Sequence, residues 1–301
     1  MTPDKSSRHL FLMTQAFFDL LRLLDLKEVE PDVFQGTSPQ VGLVRVFGGL
    51  VVSQALVASS RTVTGKSPHS LHCYFLLPGD PKLPIRYEVE RLRDGTSFGT
   101  RRCVAKQNGR TIFILSASFQ IQEVGLDFAP QMPRVAMPED LPGLDTIRQS
   151  LGAALPDGVR RYLERDRPIE LRPVDSLRFS PPRPDAPQRT GQRIWLRAKG
   201  QLPDDPALHR AILAYMSDMA LLDTAAVPHH RSVFDGSLQV ASLDHAIWFH
   251  RHFRADEWLL YDEEALSTQG ARGLCRGSLF SYDGHLVATV LQEGLIRQKA
   301  P

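Results

Sequence analysis

A carboxylate, a hydroxyl and an amide stand out because each lies where polar groups are costly to place. Asp218 lies in AYMSDMALL, with apolar residues on every helical face around it. A carboxylate in such a place needs donors or a task. Gln292 lies in TVLQEGL, at the end of an apolar strand, where an amide needs partners. Ser242 opens the strand-like segment SLDHAIWFH. Each residue alone also has a structural explanation. An arginine on a neighbouring strand would account for Asp218, a satisfied strand end for Gln292 and a simple strand start for Ser242. Asp223 is a weaker candidate because it lies nearer the helix end. Together, an acid, a hydroxyl and an amide can hold and deprotonate one water without a covalent nucleophile.

Other chemistries find little support. Gly65-Lys66-Ser67 ends like a phosphate loop, but Ser60 stands where that loop needs glycine, and a helix rather than a strand precedes it. No GxGxxG occurs, and the GxSxG letters of Gly95 to Gly99 stand at the Asp94-Gly95 hairpin turn and not on a strand-to-helix elbow. His229-His230 and His250-x-His252 lack the cysteine or carboxylate companions of a zinc site, so neither a metal nor a cofactor is expected. Cys73, Cys103 and Cys275 include no CxxC pair and read as free thiols of a reducing compartment. Lys plus Arg total 36 and Asp plus Glu 34, a net charge of +2, so no broad basic face for nucleic acid is expected. The apolar stretch Leu10 to Leu26 is broken by Gln15, Asp19, Arg22 and Asp25 at helical spacing. It reads as an amphipathic helix rather than a signal peptide, presequence or membrane span. The last residues are not a peroxisomal SKL signal, and a cytoplasmic location is the expectation.

The elements that must position the three residues follow from patterning. The 301 residues allow two domains. Val46 to Ser60 carries no charge and predicts a helix buried on nearly all sides, opened by Gly48-Gly49. A strand-rich tract follows: Leu71 to Leu77, the alternating Ile85 to Leu92, and Thr111 to Ile121, with turns at Asp94-Gly95 and Asn108-Gly109. A Pro-rich middle then reads as a linker with one short helix near 144 to 153. Strands resume near Glu170 to Phe179 and Arg193 to Ala198. A helix from about Ala207 to Ala225 precedes further strands at Ser242 to Phe249, Trp258 to Tyr261, Ala265 to Gly270, Leu274 to Tyr282 and Leu286 to Leu295. SLHCYFLLPGD from Ser70 and SLDHAIWFHRHF from Ser242 stand 172 residues apart (242 − 70). This order, helix and sheet twice over, predicts two copies of one α+β unit. The boundaries read as 1–128, a linker over 129–168, and 169–301 with the catalytic residues.

The phrases FGGLVVSQAL, SLHCYFLLPGDPKLPI, RLRDGTSFGTRR, QNGRTIFILSASFQ, DHAIWFHR, EWLLY and TVLQEG resemble the acyl-CoA thioesterase II family of the TesB type, in family order, from about Glu28 to Arg297. The resemblance implies a double hotdog, two tandem units each with a long helix wrapped by an antiparallel sheet, and hydrolysis of acyl-CoA to fatty acid and CoA. The family's catalytic Asp falls on Asp218, its hydroxyl residue on Ser242, where Thr is usual, and its Gln on Gln292. A family histidine ahead of the first strand matches His69. Leu50 departs from the Gln that commonly follows the glycine pair. The implied partners are the acyl-CoA substrate and further copies of the chain in a homo-oligomer. The oxyanion would be met by backbone N–H groups at a helix N-terminus. Arg91, Arg93, Arg101, Arg102 and Arg272 lie in segments that could face the CoA phosphates, but a solvated strand face explains them equally. Two other functions compete. A hotdog dehydratase or hydratase would pair Asp218 with a histidine such as His245, and a non-catalytic acyl-CoA binding module would need none of the three.

Overall fold

The uncharged run folds as predicted, into helix α2 (Gly48–Arg61), whose buried face runs almost right round and includes Leu50, Val51, Val52, Ala55, Leu56 and Ala58. A helix with no polar face is stable only inside, and strands enclose it. The computed structural model describes residues 14–39, 44–152, 155, 157–175, 188–234 and 236–299. Residues 176–187, which include the Pro-rich stretch PPRPDAP at 181–187 and the end of the strand predicted over Glu170 to Phe179, lie outside the described residues. Ahead of α2 stand helix α1 (Gln15–Leu24) and the short strands β1 (Lys27–Glu30) and β2 (Val33–Gly36), a hairpin the patterning does not predict. After α2 come β3 (Ser67–Phe75), β4 (Ile85–Asp94), β5 (Phe98–Gln107) and β6 (Arg110–Gln120), and α2 packs on all four.

The second half repeats this order. It contains β7 (Ile169–Pro173), β8 (Gly191–Ala198), α5 (Pro206–Ser217), β9 (Leu238–Ser242), β10 (Asp244–Phe249), β11 (Leu259–Gln269), β12 (Arg272–Ser281) and β13 (Leu286–Gln298). Among the described residues all thirteen strands join one antiparallel sheet, in the order β1-β2-β4-β5-β6-β3-β10-β13-β12-β11-β8-β7, with β9 alongside β13. Read from the centre outward, β3-β6-β5-β4-β2 mirrors β10-β13-β12-β11-β8. The repeat offset of 172 relates Cys73 to His245, and these two residues lie opposite each other where β3 meets β10. The halves therefore meet about a local two-fold at that pair. The same axis sets α2 against α5.

Three expectations change. The helix predicted through Ala225 stops at Ser217, and after a turn the chain continues as a 3₁₀ helix, Leu221–His229. The segments predicted as separate strands around Tyr261 and Ala265 are one strand, β11, with an irregularity between Ala265 and Ser267. The Pro-rich middle is more than a linker. It holds a short 3₁₀ turn (Pro138–Asp140) and two helices, α3 (Leu144–Leu151) and α4 (Asp157–Glu164). Its apolar residues Met132, Val135, Met137 and Leu141 cover Trp195, Trp258, Leu260, Phe280 and Leu286 on the second half's sheet. Trp195 Nε1 donates to Ala136 O at 2.9 Å, and Arg172 donates to Pro138 O at 2.6 Å. A sheet face carrying tryptophans needs such a cover, since exposed apolar area on this scale is costly.

Candidate active site

Asp218 caps the C-terminal end of α5, one residue past the last helical turn, with φ −90° and ψ 1°. The residue keeps a partly exposed edge, while its carboxyl is surrounded by protein. It faces the opposite helix of the pair. The Gly49 N–H at the start of α2 donates to it, so the first half supplies a backbone donor to the acid of the second. The glycine pair makes this approach possible. A methyl on Gly48 would lie 2.6 Å from Asp218 Oδ2, and one on Gly49 would lie 2.5 Å from Tyr215 O. The signal for this seat was present in the sequence as two glycines opening an uncharged helix, but it spoke only of a helix start.

Ser242 and Gln292 come from neighbouring strands. Ser242 does not open the strand after it. It ends β9, and Leu243 separates it from β10. Gln292 lies in β13, which runs between β10 and β12 with β9 beside its far end. The Gln292 Nε2 donates to Asp218 Oδ1 at 2.5 Å and contacts Ser242 Oγ at 3.0 Å, while the Ser242 hydroxyl points to Asp218 Oδ1 at 3.4 Å. Gln292 is fully buried, and its Oε1 has no hydrogen-bond partner among the described residues. That oxygen is an acceptor beside the carboxylate, suited to a donor such as water.

Burial raises the Asp218 carboxyl to about 6, well above its ordinary 3.8. The donors Gln292, Gly49 and Ser242 pull it partly back. A carboxylate that titrates near 6 is a competent general base at neutral pH. The three residues singled out in the sequence are therefore brought within hydrogen-bonding reach of one another.

His69 is not part of this group. Its Nε2 meets Ser118 Oγ at 2.8 Å, and its ring lies edge-on to Phe98. It sits at the far end of β3 from Phe75, whose ring lies beside Gly48; six residues of strand span about 20 Å. His245 is fully buried against the helix end, with Nε2 2.8 Å from Ser217 Oγ. Burial pulls its ring down to about 3, so it is neutral. Arg101 is buried, not on a solvated face, and its donors go to Thr62, Asp94 and backbone carbonyls. Arg91 is paired with Asp32 and Arg272 with Glu293. Among the described residues no group of three or more His, Cys, Asp or Glu could hold a metal ion, and no helix is long and apolar enough to cross a membrane. The histidines of the two paired motifs that show side-chain bonds, His229 and His250, meet Thr268 and Thr289.

A helix wrapped by antiparallel strands, repeated in tandem with an acid where the two helices meet, defines a double hotdog protein. The family model described as Acyl-CoA thioesterase matches residues 183–295, and the one described as Acyl-CoA thioesterase N-terminal domain matches residues 35–120. Acyl-CoA thioesterase 2 of Haemophilus influenzae is 37% identical over 286 residues, covering 95% of this chain and 99% of that protein. Human acyl-coenzyme A thioesterase 8 is 40% identical over 289 residues, covering 92% and 88%. The crystal structure of an acyl-CoA thioesterase II, TesB2, from Mycobacterium marinum superposes with a TM-score of 0.77 at 42% identity, covering 93% of this chain and 99% of that one. The chain belongs to the acyl-CoA thioesterase family and is a thioester hydrolase of that family.

Proposed function

We propose that the protein hydrolyses acyl-CoA thioesters to the free fatty acid and CoA with a water held and deprotonated by Asp218, Ser242 and Gln292. The observation that carries this reading is the convergence of Ser242 and Gln292 on Asp218 Oδ1 and on each other. The partly exposed edge of Asp218 offers substrate an approach. Water donates one hydrogen to the Asp218 carboxylate, and Gln292 Oε1 accepts the other. The resulting hydroxide attacks the thioester carbonyl carbon. The tetrahedral intermediate collapses with cleavage of the C–S bond, and the departing thiolate takes up the proton that Asp218 received from water, which restores the carboxylate. A thiolate is a good leaving group, so no strong general acid is required. The Gly49 N–H donates to Asp218, so the start of α2 orients the base. Its dipole also favours the negative charge that develops beside it.

A dehydratase would need an imidazole facing the acid. His245 is enclosed and turned to Ser217, which speaks for the hydrolase. A binding module would have no use for an acid raised to about 6 beside an unpaired amide oxygen. The three buried free cysteines fit a reducing compartment, and we place the enzyme in the cytoplasm as a homo-oligomer. Thiol release measured over a series of acyl-CoA chain lengths tests the reaction. Wild type is expected to release CoA, and Asp218→Asn to lose about two to four orders of magnitude in kcat. Near wild-type turnover by Asp218→Asn, or hydration of an enoyl-CoA without thiol release, would overturn the reading.

A further inference from the structure

We propose that Ser217, His245 and Tyr261 form a clamp that aims the Asp218 carboxylate, as positioning residues that rest on the role given to Asp218 above and deepen it. Asp218 stands just beyond the last turn of α5, where intrahelical bonds no longer hold the chain. Its direction therefore depends on what fixes its neighbours.

On the upstream side everything converges on Ser217, which is fully buried. Its hydroxyl donates to Ala214 O at 3.1 Å and lies 2.8 Å from His245 Nε2, while the Tyr261 hydroxyl donates to Ser217 O at 3.0 Å. The serine has one hydroxyl hydrogen and spends it on Ala214, so the neutral imidazole donates through Nε2–H. Burial keeps the Tyr261 phenol protonated, well above its ordinary range, so it remains a donor. Its ring lies where a side chain at position 277 would stand: a methyl on Gly277 would come within 2.2 Å of it. His245 lies on β10, three residues after Ser242, so one short stretch of chain holds both the hydroxyl partner of Asp218 and the imidazole beneath it.

The downstream side is fixed as well. Gln192 Nε2 lies 3.3 Å from Ala220 O, 2.9 Å from Thr224 Oγ1 and 2.7 Å from Glu263 Oε2, and the Thr224 hydroxyl donates to Glu263 at 2.9 Å. Buried polar groups are weak contributors to stability compared with apolar packing of the same volume. Their concentration on both flanks of one acid fits a demand for geometry.

Ser217→Ala and Tyr261→Phe each delete one hydroxyl and add no atoms, so both retain the packing. His245→Leu removes the ring donor, and His245→Gln keeps an N–H at similar reach. For acyl-CoA hydrolysis, Ser217→Ala and Tyr261→Phe are expected to lower kcat about tenfold to a hundredfold, because small displacements of a reacting group carry penalties of that size. KM should stay within about twofold, as for a group acting on the transition state alone. His245→Gln should recover most of what His245→Leu loses. Unchanged kcat in both Ser217→Ala and Tyr261→Phe, or losses that follow melting temperature while KM rises in parallel, would overturn the clamp. Asp218→Asn run beside them separates the two claims. If it keeps turnover, the role of Asp218 fails and the clamp with it. If it is inactive while Ser217→Ala and Tyr261→Phe behave as wild type, only the clamp fails.

Discussion

At the scale of single residues, the three contacts around Asp218 are unequal. The Gln292 bond is short at 2.5 Å, and the Ser242 bond is long at 3.4 Å. Removing the amide should therefore cost more than removing the hydroxyl: Gln292→Ala is expected to lower kcat by about a hundredfold or more, and Ser242→Ala by about tenfold. Steady-state kinetics on one acyl-CoA would rank them, and the opposite order would contradict the geometry. Stability gives an independent check. The Asp218 carboxyl is raised from 3.8 to about 6 in the fold. Between those values the folded protein keeps a proton that the unfolded chain has released, so stability falls as pH rises through that window. Asp218→Asn removes this cost. It is expected to gain about 1–2 kcal/mol in urea denaturation at about pH 8, with the gain fading below about pH 4. A gain that persisted at low pH would point to packing instead of charge. Residue types alone made this trio visible, because an acid, an amide and a hydroxyl in apolar text are each conspicuous. The family resemblance also marked His69, whose position on β3 separates it from the trio. No local signal in the strand SPHSLHCYF distinguishes its two ends.

Elements explain why the acid reaches its donors. Gly48 and Gly49 let the start of α2 approach the end of α5, and the two glycines do different things. Gly48→Ala places a methyl against the carboxylate, and Gly49→Ala places one against the Tyr215 carbonyl. The first is expected to cut kcat by about a hundredfold with a smaller change in melting temperature than the second, since the tightest clash is with the carboxylate and the Phe75 ring, at 3.0 Å, need give only slightly. The second must push two helices apart and should cost about 1–3 kcal/mol of stability. Similar effects of both variants on kcat and on melting would contradict this division. The order of elements was legible because turns such as Asp94-Gly95 and Asn108-Gly109 and alternation such as IRYEVE are local signals. The break at Asp218 was not. Apolar residues continue from Met219 to Val227 at helical spacing, with no proline before Pro228. The halt after Ser217 comes from contacts with Tyr261, His245 and Gln192, which lie on other strands.

On the scale of the whole molecule, the two halves share one continuous sheet and contribute unequally to the site. The second half brings Asp218, Ser242 and Gln292, and the first half brings the backbone donor of Gly49. The near-neutral net charge of +2 has a counterpart in the arginines. Arg91, Arg101 and Arg272 are each held by acids of the fold. The Pro-rich middle looks featureless because its apolar residues follow no helical or strand period. Their order comes from the tryptophan-bearing face they cover. Trp195→Ala is expected to destabilise by about 3–5 kcal/mol and to speed proteolysis within residues 129–137. A variant as stable and as resistant as wild type would show that this segment is not part of the core.

The pH dependence of kcat/KM for an acyl-CoA that the protein hydrolyses, read in wild type and in Asp218→Asn, tests the mechanism most directly, because it reports the base in the free enzyme. Activity in wild type is expected to rise with pH through one ionisation near 6, the value burial sets for Asp218, and to level off above it. Asp218→Asn should retain only a trace of the rate, with that ionisation gone. A flat profile across this range, or an unchanged profile and rate in Asp218→Asn, would contradict a water activated by Asp218.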